Sequence, residues 1–471
     1  MASRRVVPIV VTLVVVVCWL ALPAIGAEWS RFRGPNGSGV AEATGLPSEL
    51  GPNDNKIWEA EVPFGRSSPA VARDRVFLTA VEEGKLLTLA LDRATGETLW
   101  RRSLERAKPA EFHRATDSST PSPVTDGSNV YAFFHESGLV SYSRSGKERW
   151  RVPMGPFRNF YGIAASPVLA GKAVLMLCDQ AEGSFLLAVN RKSGKRLWRA
   201  ERSARVESYS TPVLYPDADD PEAVLVVGSR WVDAYDLETG ESLWKLSGVG
   251  PGVVASPVLA GDTLFLLAEN HAEPGFPEFA PILAEHDANG DGSLDREEVA
   301  EHWVLGHFGW LDADASGAIS TADWKYSWDD LSSEHWGVYA IRIPRDGSEP
   351  KILWNYRKNV PNIPSPLHYD GVFYMVRDGI VTSLDPGTGE LIKRGRLGDG
   401  SPKVYASPVA ADGKIYIGTL EGGLSVLEAG GEWSVLSTTD FEDEIWASPA
   451  IADSRIYLRT KGKLYCFGVE E

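Results

Sequence analysis

The chain has 471 residues, a formal net charge of −17, and many turn-forming and aromatic residues, with 46 Gly, 30 Pro and 16 Trp. This composition favours many short strands over long helices, and 43% hydrophobic residues argue against a disordered chain. The acidic balance argues against nucleic acid or anionic lipid as the main partner.

Residues 1–27 have the layout of a secretory signal peptide. Arg4 and Arg5 precede an apolar run that ends in small residues, so we expect export to the periplasm or cell envelope, with no membrane span after cleavage. The alternative is an uncleaved anchor, because the apolar run is near the lower length limit for crossing a bilayer. Only Cys178 and Cys466 remain after cleavage. The protein is therefore not a disulfide scaffold, although one disulfide between these two stays an alternative.

A short Ser-Pro or Thr-Pro signature, followed by apolar residues, recurs eight times along the chain. Successive prolines are 41 to 54 residues apart, except for one gap of 109 residues. The eight prolines are Pro69, Pro123, Pro167, Pro212, Pro257, Pro366, Pro408 and Pro449.

Each repeat contains the elements of a four-stranded antiparallel sheet. A second apolar run follows the Ser-Pro strand, then a tight turn, a third run, a Thr-Gly type of turn, and a fourth strand that carries Trp. The sixth unit departs from this pattern, with Lys393 at the Trp position. Four strands per 40 to 45 residues predict an all-β, eight-bladed β-propeller, because a blade cannot bury both faces without neighbours. We expect this propeller to be a monomer. A β-sandwich array is the alternative.

The last repeat ends before a fourth strand with Trp. The segment from Lys56 to Pro63 has the character of such a strand, so we expect it to pair with the final blade, with Trp58 in the vacant Trp position. The predicted organisation is a signal peptide (1–27), an N-terminal segment (28–55), and propeller blades in two parts (56–270 and 338–471) around an insert (271–337).

The Ser-Pro strand, the Thr-Gly turn and the Trp, together with WSRFRGPNGSG after residue 28, resemble the pyrroloquinoline-quinone-like (PQQ-like) eight-bladed propellers of exported bacterial proteins. The resemblance covers nearly the whole mature chain outside the insert. It implies the architecture more firmly than an activity, because propellers carry unrelated functions.

The insert contains HDANGDGSLDREE, which has the spacing of a calcium loop. Ligand positions 1, 3, 5, 7, 9 and 12 have the oxygen-bearing residues that calcium prefers, and Gly292 stands at position 6, where the loop must turn sharply. The predicted ligands are Asp287, Asn289, Asp291, Ser293, Asp295 and Glu298. A solvated acidic turn is the alternative.

A second, weaker copy begins at Asp312, and the two loops together predict an EF-hand pair that holds one or two calcium ions. Its predicted ligands are Asp312, Asp314, Ser316, the carbonyl of Ala318, Ser320 and Asp323. Ser at position 5 and the short Asp at position 12 make it the weaker site. Because the loops start 25 residues apart, a dockerin-like arrangement with a protein partner is an alternative.

Five of the eight histidines lie in the insert, namely His271, His286, His302, His307 and His335. They predict a polar helical surface. A transition-metal site is the alternative, and no HExxH-type spacing favours it.

The resemblance also implies a quinone over the central channel in related dehydrogenases, with calcium, a catalytic Asp and often a disulfide of adjacent cysteines. This chain has no adjacent Cys pair, and no position matches the catalytic Asp. We therefore predict no catalytic residue and do not expect PQQ to be bound.

Four side chains stand three residues before their signature proline, and a ring would place them around one mouth, on the face where the insert opens. They are Arg66, Tyr209, Tyr405 and Trp446. An aromatic mouth suits a ligand or peptide, and plain packing of the first strands is the alternative. The sequence thus predicts a non-enzymatic, calcium-binding scaffold for an envelope protein or peptide, similar to propellers that assist outer-membrane assembly. The alternative is a PQQ-dependent dehydrogenase that oxidises an alcohol or sugar.

Overall fold

The computed structural model describes residues 28–106, 113–159, 161–180, 183–202, 208–251, 253–270, 275–312, 316–331, 333–345 and 347–469. The predicted signal peptide, His271 and Asp314 lie outside the described residues. No helix within the described ranges combines the length and the apolar character needed to cross a bilayer.

The described chain forms 34 β-strands, three α-helices and one 3-10 helix at Pro35–Gly37. The strands are β1 (Lys56–Glu61), β2 (Ala70–Ala72), β3 (Arg75–Glu82), β4 (Lys85–Asp92), β5 (Thr98–Leu104), β6 (Val124–Thr125), β7 (Asn129–Phe134), β8 (Gly138–Ser143), β9 (Glu148–Val152), β10 (Val168–Ala170), β11 (Ala173–Cys178), β12 (Phe185–Asn190), β13 (Arg196–Glu201), β14 (Val213–Tyr215), β15 (Ala223–Val227), β16 (Trp231–Asp236) and β17 (Ser242–Ser247). The remainder are β18 (Val258–Ala260), β19 (Thr263–Ala268), β20 (Ser293–Asp295), β21 (Ala318–Ser320), β22 (Gly337–Arg342), β23 (Lys351–Tyr356), β24 (Leu367–Tyr369), β25 (Val372–Arg377), β26 (Ile380–Leu384), β27 (Leu391–Arg396), β28 (Val409–Ala411), β29 (Lys414–Gly418), β30 (Gly423–Glu428), β31 (Ser434–Asp440), β32 (Ala450–Ala452), β33 (Arg455–Arg459) and β34 (Lys463–Phe467). The helices are α1 (Phe279–His286), α2 (Val304–Leu311) and α3 (Thr321–Leu331).

Eight four-stranded antiparallel sheets confirm the predicted eight-bladed propeller. Blades 1 to 4 are β2–β5, β6–β9, β10–β13 and β14–β17; blade 5 is β18, β19, β22 and β23; blades 6 and 7 are β24–β27 and β28–β31. The second and third strands of a blade are buried almost throughout, because neighbouring blades cover both faces. Such strands appear in the sequence as continuous apolar runs.

Blade 8 is closed by the strand predicted from the sequence. Its order is β1-β34-β33-β32, and Trp58 is paired with Cys466. The Trp58 ring lies 6.0 Å from that of Tyr457, and 8% of the residue is exposed. The first described strand thereby covers the edge of the last sheet.

The Trp and the Thr-Gly type of turn fasten five of the eight blades to the blade that follows. Nε1 of Trp58 donates a hydrogen bond to the Arg93 carbonyl of blade 1 at 3.1 Å, and a Cβ on Gly96 would lie 2.5 Å from the Trp58 ring. The indoles of Trp100, Trp150, Trp198 and Trp354 donate in the same way to carbonyls of the following blade, at 2.8 to 3.0 Å. Gly is needed because the indole occupies the space of a side chain and the turn has positive φ.

Blade 6 has a different fastening, which explains its missing Trp. Lys393 donates from Nζ to the Trp433 carbonyl of blade 7 at 2.7 Å, and the ammonium lies 4.9 Å from the Trp433 ring. Trp433 is 3% exposed and packs beside Gly395. The aromatic group at this interface therefore comes from the opposite blade.

The N-terminal segment crosses from blade to blade on the inner strands. Trp29 pairs with Val71 of blade 1, while Arg31 donates to the Pro212 carbonyl of blade 4 at 2.8 Å. Arg33, which is fully buried, donates to the Pro366 carbonyl of blade 6. The WSRFRGPNG motif therefore ties several blades together near the axis.

The insert leaves blade 5 between its second and third strands, β19 and β22, as the spacing predicted. It has its own small core of apolar residues from its three helices and from the strands β20 and β21. Cys178 and Cys466 are both buried free thiols in different blades, so the alternative of a disulfide between them is wrong.

Candidate functional site

The eight signature hydroxyl residues form a closed ring, and each stands two residues before the first strand of its blade. Each backbone N–H donates to the side-chain oxygen of the corresponding residue in the next blade, at 2.8 to 3.0 Å, and the eighth donates to the first. The ring runs through Ser68, Ser122, Ser166, Thr211, Ser256, Ser365, Ser407 and Ser448. The hydroxyl is thus required at this position because it satisfies a buried backbone donor.

A cavity of about 330 Å³ lies at this ring. All eight ring residues line it, and so does Phe32 from the N-terminal segment. Its volume is at the lower end of the range of small-molecule pockets. It suits a small ligand or one or two side chains of a partner rather than a folded domain.

The four residues predicted to surround one mouth, Arg66, Tyr209, Tyr405 and Trp446, all line this cavity. The Arg66 guanidinium carbon lies 4.0 Å from the centre of the Trp446 ring, and Tyr405 contacts the same ring edge-on, with centroids 5.2 Å apart. Three of the four are therefore in contact as one group. Their role in binding stays a prediction.

Two further aromatic residues of the wall were missed by sequence reasoning. Tyr161 contacts Tyr209 edge-on at 5.4 Å between centroids, and His113 contacts Tyr161 at 4.7 Å. Both lie in loops between blades, outside the repeated motif. Tyr161 stands six residues before Pro167 rather than three. No local pattern marks either residue.

The charge of the cavity wall is carried by Arg66. Burial lowers the pKa of its guanidinium, and Asp117, whose carboxylate oxygen is 3.6 Å from Nε, partly opposes that shift. Burial also lowers the pKa of His113, so this imidazole is neutral at pH 7. No carboxylate is among the described side chains that line the cavity.

The insert contributes directly to the cavity wall. Trp310 at the end of α2 and Tyr326 on α3 both line it. Arg230 of blade 4 holds this part of the insert, because its Nη2 donates to the Tyr326 carbonyl at 3.2 Å and its guanidinium lies 3.8 Å from Asp329. The insert therefore covers one side of the mouth.

The first acidic loop is organised around its first and last carboxylates. Asp287 accepts from the N–H groups of Gly290 at 2.7 Å and Gly292 at 3.0 Å, and Gly292 has a φ of 81°. Glu298 accepts from Ala288 at 3.0 Å with one oxygen and from Asp295 at 3.0 Å with the other. The backbone of the loop thus turns back on the carboxylates of its first and last ligand positions.

The second loop has equivalent hydrogen bonds. Asp312 accepts from Gly317 at 3.0 Å, and Asp323 accepts from Ser320 at 2.9 Å. The strands β20 and β21 join the loops through the pair Leu294 and Ile319, both fully buried. The two loops therefore form one paired unit.

Metal binding by the insert stays a prediction. Among the described residues, no three His, Cys, Asp or Glu side chains are grouped in a way that could hold a metal ion. In the first loop the carboxylates instead accept hydrogen bonds from the backbone. Of the histidines in the insert, His286 and His302 lie with their rings 4.6 Å apart.

Comparison with known proteins supports the architecture. A family model described as outer membrane protein assembly factor BamB matches residues 49–245. BamB of Burkholderia pseudomallei is 24% identical over 254 residues, which cover 51% of this chain and 61% of that protein, less than two thirds of its length. BamB of Shewanella oneidensis is 23% identical over 414 residues, covering 82% and 92%.

Solved structures show the same fold at low sequence identity. BamB from Moraxella catarrhalis has a TM-score of 0.56 and 12% identity, covering 88% of this chain and 99% of that one. A europium-containing methanol dehydrogenase has a TM-score of 0.60 and 11% identity, covering 95% and 99%. The resemblance to PQQ-like eight-bladed propellers is thus confirmed, and the fold is shared by assembly factors and by dehydrogenases.

Proposed function

We propose that this chain, an eight-bladed propeller similar to the BamB proteins, is an exported, non-enzymatic binding protein. Its central cavity would receive part of an envelope protein or peptide. The observation that carries the proposal is that aromatic side chains from several blades and from the insert meet around one cavity. Aromatic residues are enriched at protein interfaces, since they bury large areas with little loss of conformational freedom.

The two relatives found by sequence support a scaffold role in the envelope, because both are outer membrane protein assembly factors by name. The same relatives and the signal-like segment at residues 1–27 support export. The partner would be a protein of the same compartment.

Calcium would act through the insert. The two loops present carboxylate, amide, hydroxyl and carbonyl oxygens at the spacing that calcium requires. The second loop lies between Trp310 and Tyr326, the two residues that the insert places in the cavity wall. A calcium ion there would stabilise the positions of both and thereby the shape of the mouth.

The second candidate is a quinone-dependent dehydrogenase, because solved structures with this fold include a methanol dehydrogenase and two quinohemoprotein alcohol dehydrogenases. The cavity wall fits the quinone only in part. Its aromatic rings could stack on the planar quinone. The quinone carries three carboxylates, however, and among the described lining residues Arg66 is the one side chain with a guanidinium or ammonium group. We therefore place no reaction step in this cavity.

A crosslinking experiment tests the proposal. A photo-reactive amino acid at Tyr405 should capture an envelope protein when the chain is expressed in its own host, and chelation of calcium should reduce the adduct. The matched control carries the same group at Leu391, which is 48% exposed on the outer strand of blade 6. Equal adducts at both positions would contradict a role for the cavity.

An oxidation assay of the purified protein tests the second candidate function. Purified chain incubated with PQQ and calcium should show no dye-linked oxidation of alcohols or sugars. Oxidation that appears with the quinone and disappears on removal of the metal would reverse the ranking of the two functions.

A further inference from the structure

We propose that the cavity selects a group with one carboxylate, and that Arg66 is the residue that makes the selection. The proposal rests on the proposed function, because it specifies which part of the partner enters the cavity. That part would be an acidic side chain or a chain terminus next to an aromatic residue.

The base of the cavity is rich in hydrogen-bond donors. Each ring hydroxyl uses its oxygen to accept a backbone N–H, and within the described chain no hydrogen bond is recorded in which a ring hydroxyl donates its own hydrogen. The ring residues are at most 6% exposed. Buried donors are stabilised by an acceptor, so the ring favours a ligand that brings oxygen atoms.

Arg66 adds a positive charge that the protein compensates incompletely. Its side chain is 11% exposed, and its Nη2 donates to the Arg114 carbonyl at 2.7 Å. Its Nε and Nη1 have no hydrogen-bond partner within the described residues. Two carboxylates act on it without a hydrogen bond, Asp117 in a 3.6 Å ion pair and Glu444 through its charge. A ligand carboxylate beside this guanidinium would supply the missing compensation, and such charge-assisted bonds are the strong ones.

The rest of the wall limits the charge and shape of the ligand. The edge-to-face rings of Tyr405 and Trp446 lie beside Arg66, and Tyr161 and Tyr209 provide a second aromatic pair. With one lining guanidinium, a ligand with several negative charges would leave most of them without a partner. The arrangement therefore fits a single carboxylate attached to an apolar or aromatic group.

The test uses two probes that differ only in this charge, N-acetyl-tryptophan and N-acetyl-tryptophan amide. Titration calorimetry or ligand-observed NMR with the full mature chain in calcium-containing buffer measures both affinities. We expect the acid to bind at least about tenfold more tightly than the amide, because a charge-assisted hydrogen bond is lost in the amide. Higher salt should reduce the difference.

Substitutions at Arg66 test whether this residue causes the preference for the acid over the amide. Arg66→Gln should abolish the preference for the acid and Arg66→Lys should keep part of it, while Arg101→Gln, on the outer strand of blade 1, should leave it unchanged. Thermal unfolding of each variant checks that it is folded.

Equal binding of acid and amide, absence of binding by the acid, or an unchanged preference in Arg66→Gln would each overturn the proposal. A partner that still crosslinks at Tyr405 after such a result would show that the carboxylate selection fails while the binding function stands.

Discussion

The buried side chain of His135 makes the stability of the folded protein depend on pH. It is 4% exposed, and its Nδ1 accepts a hydrogen bond from the Ile163 N–H at 3.0 Å, so the neutral ring is the one that fits. Burial lowers the pKa of His135 below its usual value of 6.5. The unfolded chain therefore takes up a proton first as the pH falls, and stability that is present above pH 6.5 is lost below it.

We expect His135→Asn to flatten this dependence, because an amide oxygen can accept the same N–H at every pH. Below pH 6.5 the native chain should lose stability through this group as the pH falls, and the variant should not. Thermal unfolding over that range measures the change. The same substitution at the exposed His307 should leave the slope as it was.

Single residues also show where sequence reasoning stops. The Ser-Pro signature identified the first strand of every blade, yet it did not reveal that the hydroxyls form a ring, because each bond joins residues 41 to 109 positions apart, or 380 positions apart where the ring closes. His113 and Tyr161 of the cavity wall were invisible for the same reason. Their meeting depends on loops whose course no local pattern determines.

The insert is the element for which sequence motif and structure can be compared most closely. The spacing of the loops predicted their pairing, and Leu294 and Ile319, both at position 8 of their loops, are indeed paired in the two-stranded sheet. What the motif could not predict is where the insert would rest. Arg230 and the mouth of the propeller determine that Trp310 and Tyr326 face the cavity.

Calcium titration tests the two predicted calcium loops of the insert. We expect one tighter and one weaker site by calorimetry, and Glu298→Gln should abolish the tighter one, because position 12 supplies two of the oxygens around the ion. Glu297→Gln removes the same charge at position 11, where no ligand is predicted, and should keep both sites. Unchanged binding in Glu298→Gln would refute the ligand assignment.

At the scale of the whole molecule, the closing strand was predictable because the repeat was complete in every unit but the last. The missing fourth strand had one candidate, and the pairing of Trp58 with Cys466 confirms it. The course of residues 28–55 was not predictable. Their contacts with blades 1, 4 and 6 depend on carbonyl groups that the finished ring presents near its axis.

The closure of blade 8 by β1 gives a prediction for the stability of the fold. Trp58→Ala should lower the free energy of unfolding by about 3–5 kcal/mol, since a buried indole is removed and a cavity is left between the first and last blades. Trp303→Ala, at a residue that is 42% exposed on the insert, should change it little. Urea unfolding followed by circular dichroism compares the two, and similar midpoints would contradict the fastening role.

The position of the closing strand has a consequence for how the molecule is made. Residues 56–61 leave the ribosome some 400 residues before residues 463–467, their partners in blade 8. Until synthesis is finished, β1 has no partner strand, and an unpaired strand is a place where nascent molecules can join one another. In a chain that terminates before residue 463, β1 would stay unpaired. Premature termination should therefore yield aggregates rather than a smaller functional propeller.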